Sequence, residues 1–282
     1  GISALFHGNV GIGTTSPYAK LSVVGPVVAQ YFHATSSAAT STFDGAIALP
    51  NATAAGAGII NVGGSRFIHN YGTSNTFAGS GAGNLTMTGS ANSGFGLDVL
   101  SGITSGGSNT GFGASSLVEN TTGAQNTAVG ANALRSNVGG SANVALGFQA
   151  LTTNIFGQDN TAVGKGALND NTASFNVAVG SGALLVNDSG ASSTAIGYYA
   201  LGANTTGASS TAVGINAGRI NTTGSKLTFL GAGAGYIGTT DGLTNAAAIG
   251  YNAQVTASNS LVLGGGGADA VNVGIGTTSP YA

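Results

Sequence analysis

Between Asn126 and Gly218 the chain repeats one phrase: NTAVGANAL, NVALGFQAL, NTAVGKGAL, NVAVGSGAL, STAIGYYAL, STAVGINAG. Polar, small, aliphatic and glycine positions recur in it in fixed order. Taking the glycine after the aliphatic residue as a marker gives Gly79, Gly96, Gly113, Gly130, Gly147, Gly164, Gly180, Gly197, Gly214 and Gly231, and every step is 17 residues except the 16 from Gly164 to Gly180. A period this constant is a repeat architecture. Before most markers stands an aliphatic or aromatic residue (Phe95, Phe112, Val129, Leu146, Val163, Val179, Ile196, Val213, Leu230), and before that, in many coils, an alanine: Ala128, Ala145, Ala162, Ala178, Ala195 and Ala212. In a strand these neighbours face opposite ways. Past the marker come Ala-Leu pairs such as Ala133-Leu134, then an asparagine such as Asn137, Asn154 or Asn171. The spacing leaves room for two short strands and two turns, with glycine and asparagine expected at the corners because both tolerate left-handed backbone.

Seventeen residues are too few for a helical repeat, whose shorter forms need about 33. Each period reads instead as one coil of a stack whose rungs lie about 4.8 Å apart. The pattern predicts an all-β parallel β-solenoid or β-roll of about ten 17-residue coils plus atypical terminal coils. Equivalent residues then lie over one another, and Asn75, Asn92, Asn109, Asn126, Asn143, Asn160 and Asn176 are expected to form a ladder of side-chain amides. The apolar burial within one coil is small beside the entropy of ordering its backbone, so further burial against copies of the chain is expected. A column of small residues admits a close neighbour, which makes the six alanines the expected interchain face, closed by symmetry.

The run from NTAVGANAL to STAVGINAG resembles the head repeats of trimeric autotransporter adhesins, whose phrase is also asparagine, small or aliphatic residues, Ile or Val, then glycine. The likeness spans residues 75 to 264, about two-thirds of the chain, although the family's usual coil is shorter. It implies a left-handed parallel β-roll, three chains side by side with the alanine column trimer-facing, and an assembly projecting from a cell surface. GIGTTSPYAKLSV also resembles a segment common in phage tail-fibre-like and very large bacterial surface proteins.

A longer repeat frames the array. NVGIGTTSPYA stands at Asn9–Ala19 and again, unchanged, at Asn272–Ala282, an offset of 263, so the parent chain is expected to be a tandem array of modules of about that length. Residues 1–19 then end a preceding module and carry the junction motif, 20–74 form a β-rich connector, 75–244 the regular roll, and 245–282 variable-length closing coils and the start of the next module. In the connector KLSVVG, VVAQYFHA, STFDGAIAL, GIINVGG and SRFIHNYG read as short strands. Past Gly231 the markers Gly250, Gly264 and Gly276 come at intervals of 19, 14 and 12. Terminal repeats are commonly atypical because a solenoid must hide its open edge.

Composition narrows the function. Charged residues are 5% of the chain and the net charge is -2, which argues against a nucleic-acid binder or a polybasic membrane ligand. Cysteine is absent, which excludes thiolate metal sites, and no apolar run reaches the length of a membrane helix. No catalytic constellation emerges: His7, His33 and His69 share no ligand spacing, the acids stand singly, and a calcium roll would carry aspartate where this chain has asparagine. The expectation is a protein that is not an enzyme and carries no cofactor or metal. Charges such as Glu119, Arg135 and Lys165 fall in the variable slots after the marker; Phe148, Tyr198 and Tyr199 share those slots and are the candidate recognition surface.

These features point to a structural or adhesive segment of a homotrimeric extracellular or cell-surface fibre, partnered by its own copies and by host or cell-surface ligands, with no nucleic acid and no membrane contact in this segment. A tail-fibre shaft on the virion of a phage or phage-like particle is the alternative. An ice-binding solenoid is a lesser one, because the column Thr76, Thr110, Thr127, Thr161, Thr194 and Thr211 is broken by Ser93, Val144 and Val177.

Overall fold

The structure, a computed structural model, describes residues 10–12, 21–23, 48–53, 58–235 and 241–266. VVAQYFHA, most of STFDGAIAL, His7, His33 and Gly276 lie outside them. The chain divides into two units, 1–48 and 49–282. In the first, β1 (Val10–Ile12) pairs in parallel with β2 (Leu21–Val23), within KLSVVG.

The second unit is one 14-stranded sheet whose strands follow in sequence order. It opens with β3 (Ile60–Val62), β4 (Ser65–His69) and β5 (Thr76–Ala78), joined antiparallel. The stack continues in parallel through β6 (Ser93–Phe95), β7 (Thr110–Phe112), β8 (Thr127–Val129), β9 (Val144–Leu146), β10 (Thr161–Val163) and β11 (Val177–Val179). It ends with β12 (Thr194–Ile196), β13 (Thr211–Val213), β14 (Ser225–Leu230), β15 (Thr244–Ile249) and β16 (Leu261–Leu263). Register runs phrase over phrase, Ala128 on Ala145 on Ala162 on Ala178, as the period requires. The fold is thus an all-β parallel solenoid, with no helix among the described residues.

Each regular coil holds one short strand, where the spacing had left room for two. The rest winds through alternate left-handed residues: Gly130 at φ 133, Asn132 at φ 59 and Leu134 at φ 50. Alternation turns the chain sharply yet keeps every second N–H pointing up or down the stack, while those between close turns within the coil, as Ala133 N–H does on Gly130 O. Asn132 N–H donates to Ala114 O at 3.0 Å, Leu134 N–H to Ala150 O at 3.0 Å and Ser136 N–H to Thr152 O at 2.8 Å. Backbone pairing therefore continues around the coil without further strands.

Glycine and asparagine hold left-handed corners as expected, Gly130, Gly166, Asn132 and Asn216 among them, but leucine joins them there. Leu100, Leu117, Leu134, Leu151, Leu168, Leu184 and Leu201 all take φ between 49 and 53, and all are fully buried. The conformation costs about 1–2 kcal/mol, while full burial of leucine contributes about 1.5–3 kcal/mol; burial offsets the strain. The asparagines seven residues past the markers are instead buried in the core.

Two asparagine ladders run through that core. In the expected one, Asn126 N–H donates to Asn109 Oδ1 at 3.0 Å, and Asn126 Nδ2 donates to the same oxygen at 3.1 Å and to Gly140 O at 2.8 Å. In the second, Asn137 Nδ2 donates to Asn120 Oδ1 at 2.7 Å and to Gly140 O at 2.9 Å. The ladders thus meet on one carbonyl, and every buried amide proton named here has an acceptor, as burial of polar groups demands. The 16-residue step is absorbed at this corner: Ala173 O takes Asn160 Nδ2 at 2.9 Å and Asn171 Nδ2 at 2.7 Å, and the strands on either side stay in register.

Towards both ends leucine gives way to glycine and an aromatic ring fills the space. A Cβ on Gly83 would lie 2.6 Å from the Phe77 ring, and one on Gly218 or Gly235 would lie 2.4 or 2.2 Å from Phe229. The marker position is stricter, since a Cβ on Gly147, whose φ is 140, would lie 2.5 Å from Gly164 O in the next coil. Gly147→Ala is expected to destabilise the fold by about 2 kcal/mol or more, against less than about 0.5 kcal/mol for Ala131→Ser at a neighbouring corner, as measured by chemical denaturation.

Candidate functional site

The strand's two sides define the surfaces available for function. The column expected to face sister chains, Ala128, Ala145, Ala162, Ala178, Ala195 and Ala212, is at most 1% exposed within a single chain. These alanines have no surface left for a partner, which corrects that expectation. The coil is narrow, and the opposite wall of the same coil, with its leucines and asparagine ladders, takes up the space that small residues leave. The flanking positions face outward instead: Val129 is 37% exposed, Leu146 46%, Ile196 41% and Leu230 47%. Phe95 and Phe112 extend this column, their rings stacked at 4.7 Å. Beside it runs the threonine column, with Val144 also outward.

Around the corner, the positions just after the marker make a second surface. Tyr198 and Tyr199 meet edge to face at 4.6 Å, and the Arg219 guanidinium lies 5.0 Å from the Tyr199 ring centre. Both tyrosines line an open trough of about 330 Å³ together with Gln149, Lys165, Gly166, Asn169, Ser181, Gly182 and Leu185. Phe148, the third aromatic candidate, is exposed but outside that lining. Sequence reasoning missed the lysine, the amides and above all the glycines. Their signal was present: two residues past successive markers the chain reads Gln149, Gly166, Gly182, Tyr199, a side chain, two gaps and a ring. Glu119 and Arg135 are exposed on neighbouring coils, 3.9 Å apart, a surface pair of little energetic weight.

The first coil shows how the stack is closed. Inside the array a carbonyl such as Ala150 O accepts the leucine N–H of the preceding coil. For Ala82 that coil is replaced by side chains of β4: His69 Nε2 donates at 2.8 Å and Arg66 Nη2 at 2.9 Å. Tyr71 N–H donates to His69 Nδ1 at 3.2 Å, so both bonds require the neutral imidazole with its proton on Nε2. The ring is buried and stacks on Phe77 at 5.0 Å. His69 is therefore structural. Among the described residues no group of three or more His, Cys, Asp or Glu stands together as a metal site.

The class defined by this geometry is a parallel β-solenoid repeat protein. Compared with models of protein families, with curated proteins and with solved structures, the chain finds no match.

Burial holds the His69 imidazole below its usual 6.5, outweighing the Ala82 bond that favours the charged form, and the nearby Arg66 charge acts in the same direction as burial. The unfolded chain therefore takes up a proton first as pH falls through about 6.5, so this contribution is complete above that pH and declines below it. Thermal melting between pH 7 and pH 5 should show a decline that is shallower in His69→Gln; an identical slope would contradict the role of the ring.

Proposed function

We propose that this chain is a structural or adhesive segment of a homotrimeric extracellular fibre built from tandem modules. The observation that carries the reading is the outward apolar column, repeated from coil to coil along the strand face. Monomeric proteins rarely expose contiguous apolar patches beyond a few hundred Å². A column of this kind is matched most simply by the same column on another copy, because the spacing of the rungs is identical. Closed symmetry then buries it without open-ended growth. The number three comes from the resemblance to the heads of trimeric autotransporter adhesins, with the contact moved from the alanine column to the aliphatic one.

A fibre also fits the rest of the chemistry. The backbone is paired up and down the stack, charges are few and in the regular coils fall in the variable slots, and the duplicated NVGIGTTSPYA phrase marks the junction at which modules follow one another. Length and stiffness come from repetition, while the corner positions are free to vary. The assembly test is the mass in solution by analytical ultracentrifugation. A trimer is expected for the native sequence, and a monomer that keeps its cooperative melt is expected for Val129→Lys combined with Val179→Lys. A native sequence that sediments as a monomer at micromolar concentration would overturn the reading.

A further inference from the structure

We infer that the trough beside Tyr199 is a binding site for an acidic saccharide. This deepens the adhesive part of the proposed function and does not depend on how the chains assemble, since the trough lies round the corner from the strand face. Its geometry follows from the stack. Equivalent positions rise about 4.8 Å per coil; Gln149 and Tyr199 stand three coils apart, the Tyr199 ring leans over Gly182, where a Cβ would meet it at 2.9 Å, and the open floor between Gln149 and that ring is Gly166. The volume, about 330 Å³, is at the small end of ligand sites and suits one or two sugar rings.

The lining selects the ligand class. Tyr199 is packed between Gly182 and the Arg219 guanidinium, so the exposed Tyr198 ring is the one that offers a flat apolar face to the C–H side of a pyranose and a hydroxyl at its edge. The polar groups around it are left open by the fold. Asn169 Nδ2 is spent on Gln149 O and Thr152 Oγ1, both at 3.0 Å, which leaves its Oδ1 as an acceptor. Lys165 makes no ion pair among the described residues. The Gln149 amide and the Ser181 hydroxyl complete a mixed set of donors and acceptors of the kind that sugar hydroxyls satisfy.

Other ligands fit less well. A lipid chain needs an apolar wall, and here Leu185 and the two rings are the only large apolar groups. A phosphate chain needs free backbone N–H groups or several cations; the Gly166 and Gly182 N–H groups are already bonded, to Phe148 O and Lys165 O. Lys165 as the one cation in the trough favours a sugar carboxylate.

Saturation-transfer NMR on the whole chain, with digalacturonate and sialyllactose as acidic probes and lactose as the neutral control, tests the site. Transfer to an acidic probe is expected to exceed that to lactose, and Lys165→Gln should weaken acidic binding about tenfold. Gly166→Gln should abolish transfer by filling the floor without unfolding the coil, because Gln149 occupies the same column with φ 58 where Gly166 has φ 63. No transfer to either acidic probe, equal transfer to lactose, or transfer unchanged in Gly166→Gln would overturn the assignment. Oligomer mass measured on the same samples keeps this result separate from the fate of the fibre reading.

Discussion

One junction, repeated coil after coil, holds the central stack together: a turn carbonyl that receives two buried side-chain amides. Gly123 O, Gly140 O, Gly157 O and Ala173 O each take one from either asparagine ladder. A coil this small cannot enclose a thick hydrocarbon core, so polar groups occupy much of the interior. Such an interior is stable only when every donor and acceptor is met. Stacking identical coils meets that condition along the ladders, because the partner each amide needs is the same amide one rung away; at the end of the second ladder Asn221 Oδ1 is buried without a partner among the described residues. Where the first ladder runs out of asparagine, serine continues it, with Ser193 N–H on Asn176 Oδ1 at 2.9 Å and Ser210 N–H on Ser193 Oγ at 3.3 Å.

That dependence explains what was legible in the sequence. Ladders need like residues at like positions, so period, register and the first asparagine column could be read directly from the repeated phrase. Which side of the strand faces inward could not. Alternation separates Ala162 from Val163 but does not say which is inside, and a column of small residues suits a narrow interior as well as a close neighbour. The signal that decides it was volume compensation: in the alanine column, Gly111 stands against Val99, and Phe77 and Phe229 stand against Gly83 and Gly218. An outward column has no reason to compensate. The left-handed leucines were hidden for a different reason, since intrinsic preference disfavours them and only burial in the finished stack reverses the balance.

With the interior so constrained, function is left to the outside, which divides in two. The strand face keeps its apolar character from coil to coil, which is what the proposed assembly uses; the corner positions change from Leu97 to Phe148, Lys165 and Tyr198, which is what the proposed recognition uses. The trough of Tyr199 was only half legible, because it is made by missing side chains as much as by the rings, Gly182 letting the Tyr199 ring lie down and Gly166 leaving the floor open. The ends of the stack need a third solution, and at β4 imidazole and guanidinium groups stand in for an absent coil.

The most direct test of the account is amide hydrogen exchange in Asn143→Ala. Asn160 N–H donates to Asn143 Oδ1 at 3.0 Å and Gly157 O loses one of its two amides with Asn143, whereas Asn204 is held by Asn187 at 2.7 Å several coils away. Coils that contact only their neighbours should lose protection locally. Exchange at Asn160 should accelerate about tenfold or more while Asn204 is unaffected; unchanged protection at Asn160 would show that the ladder does not hold the stack.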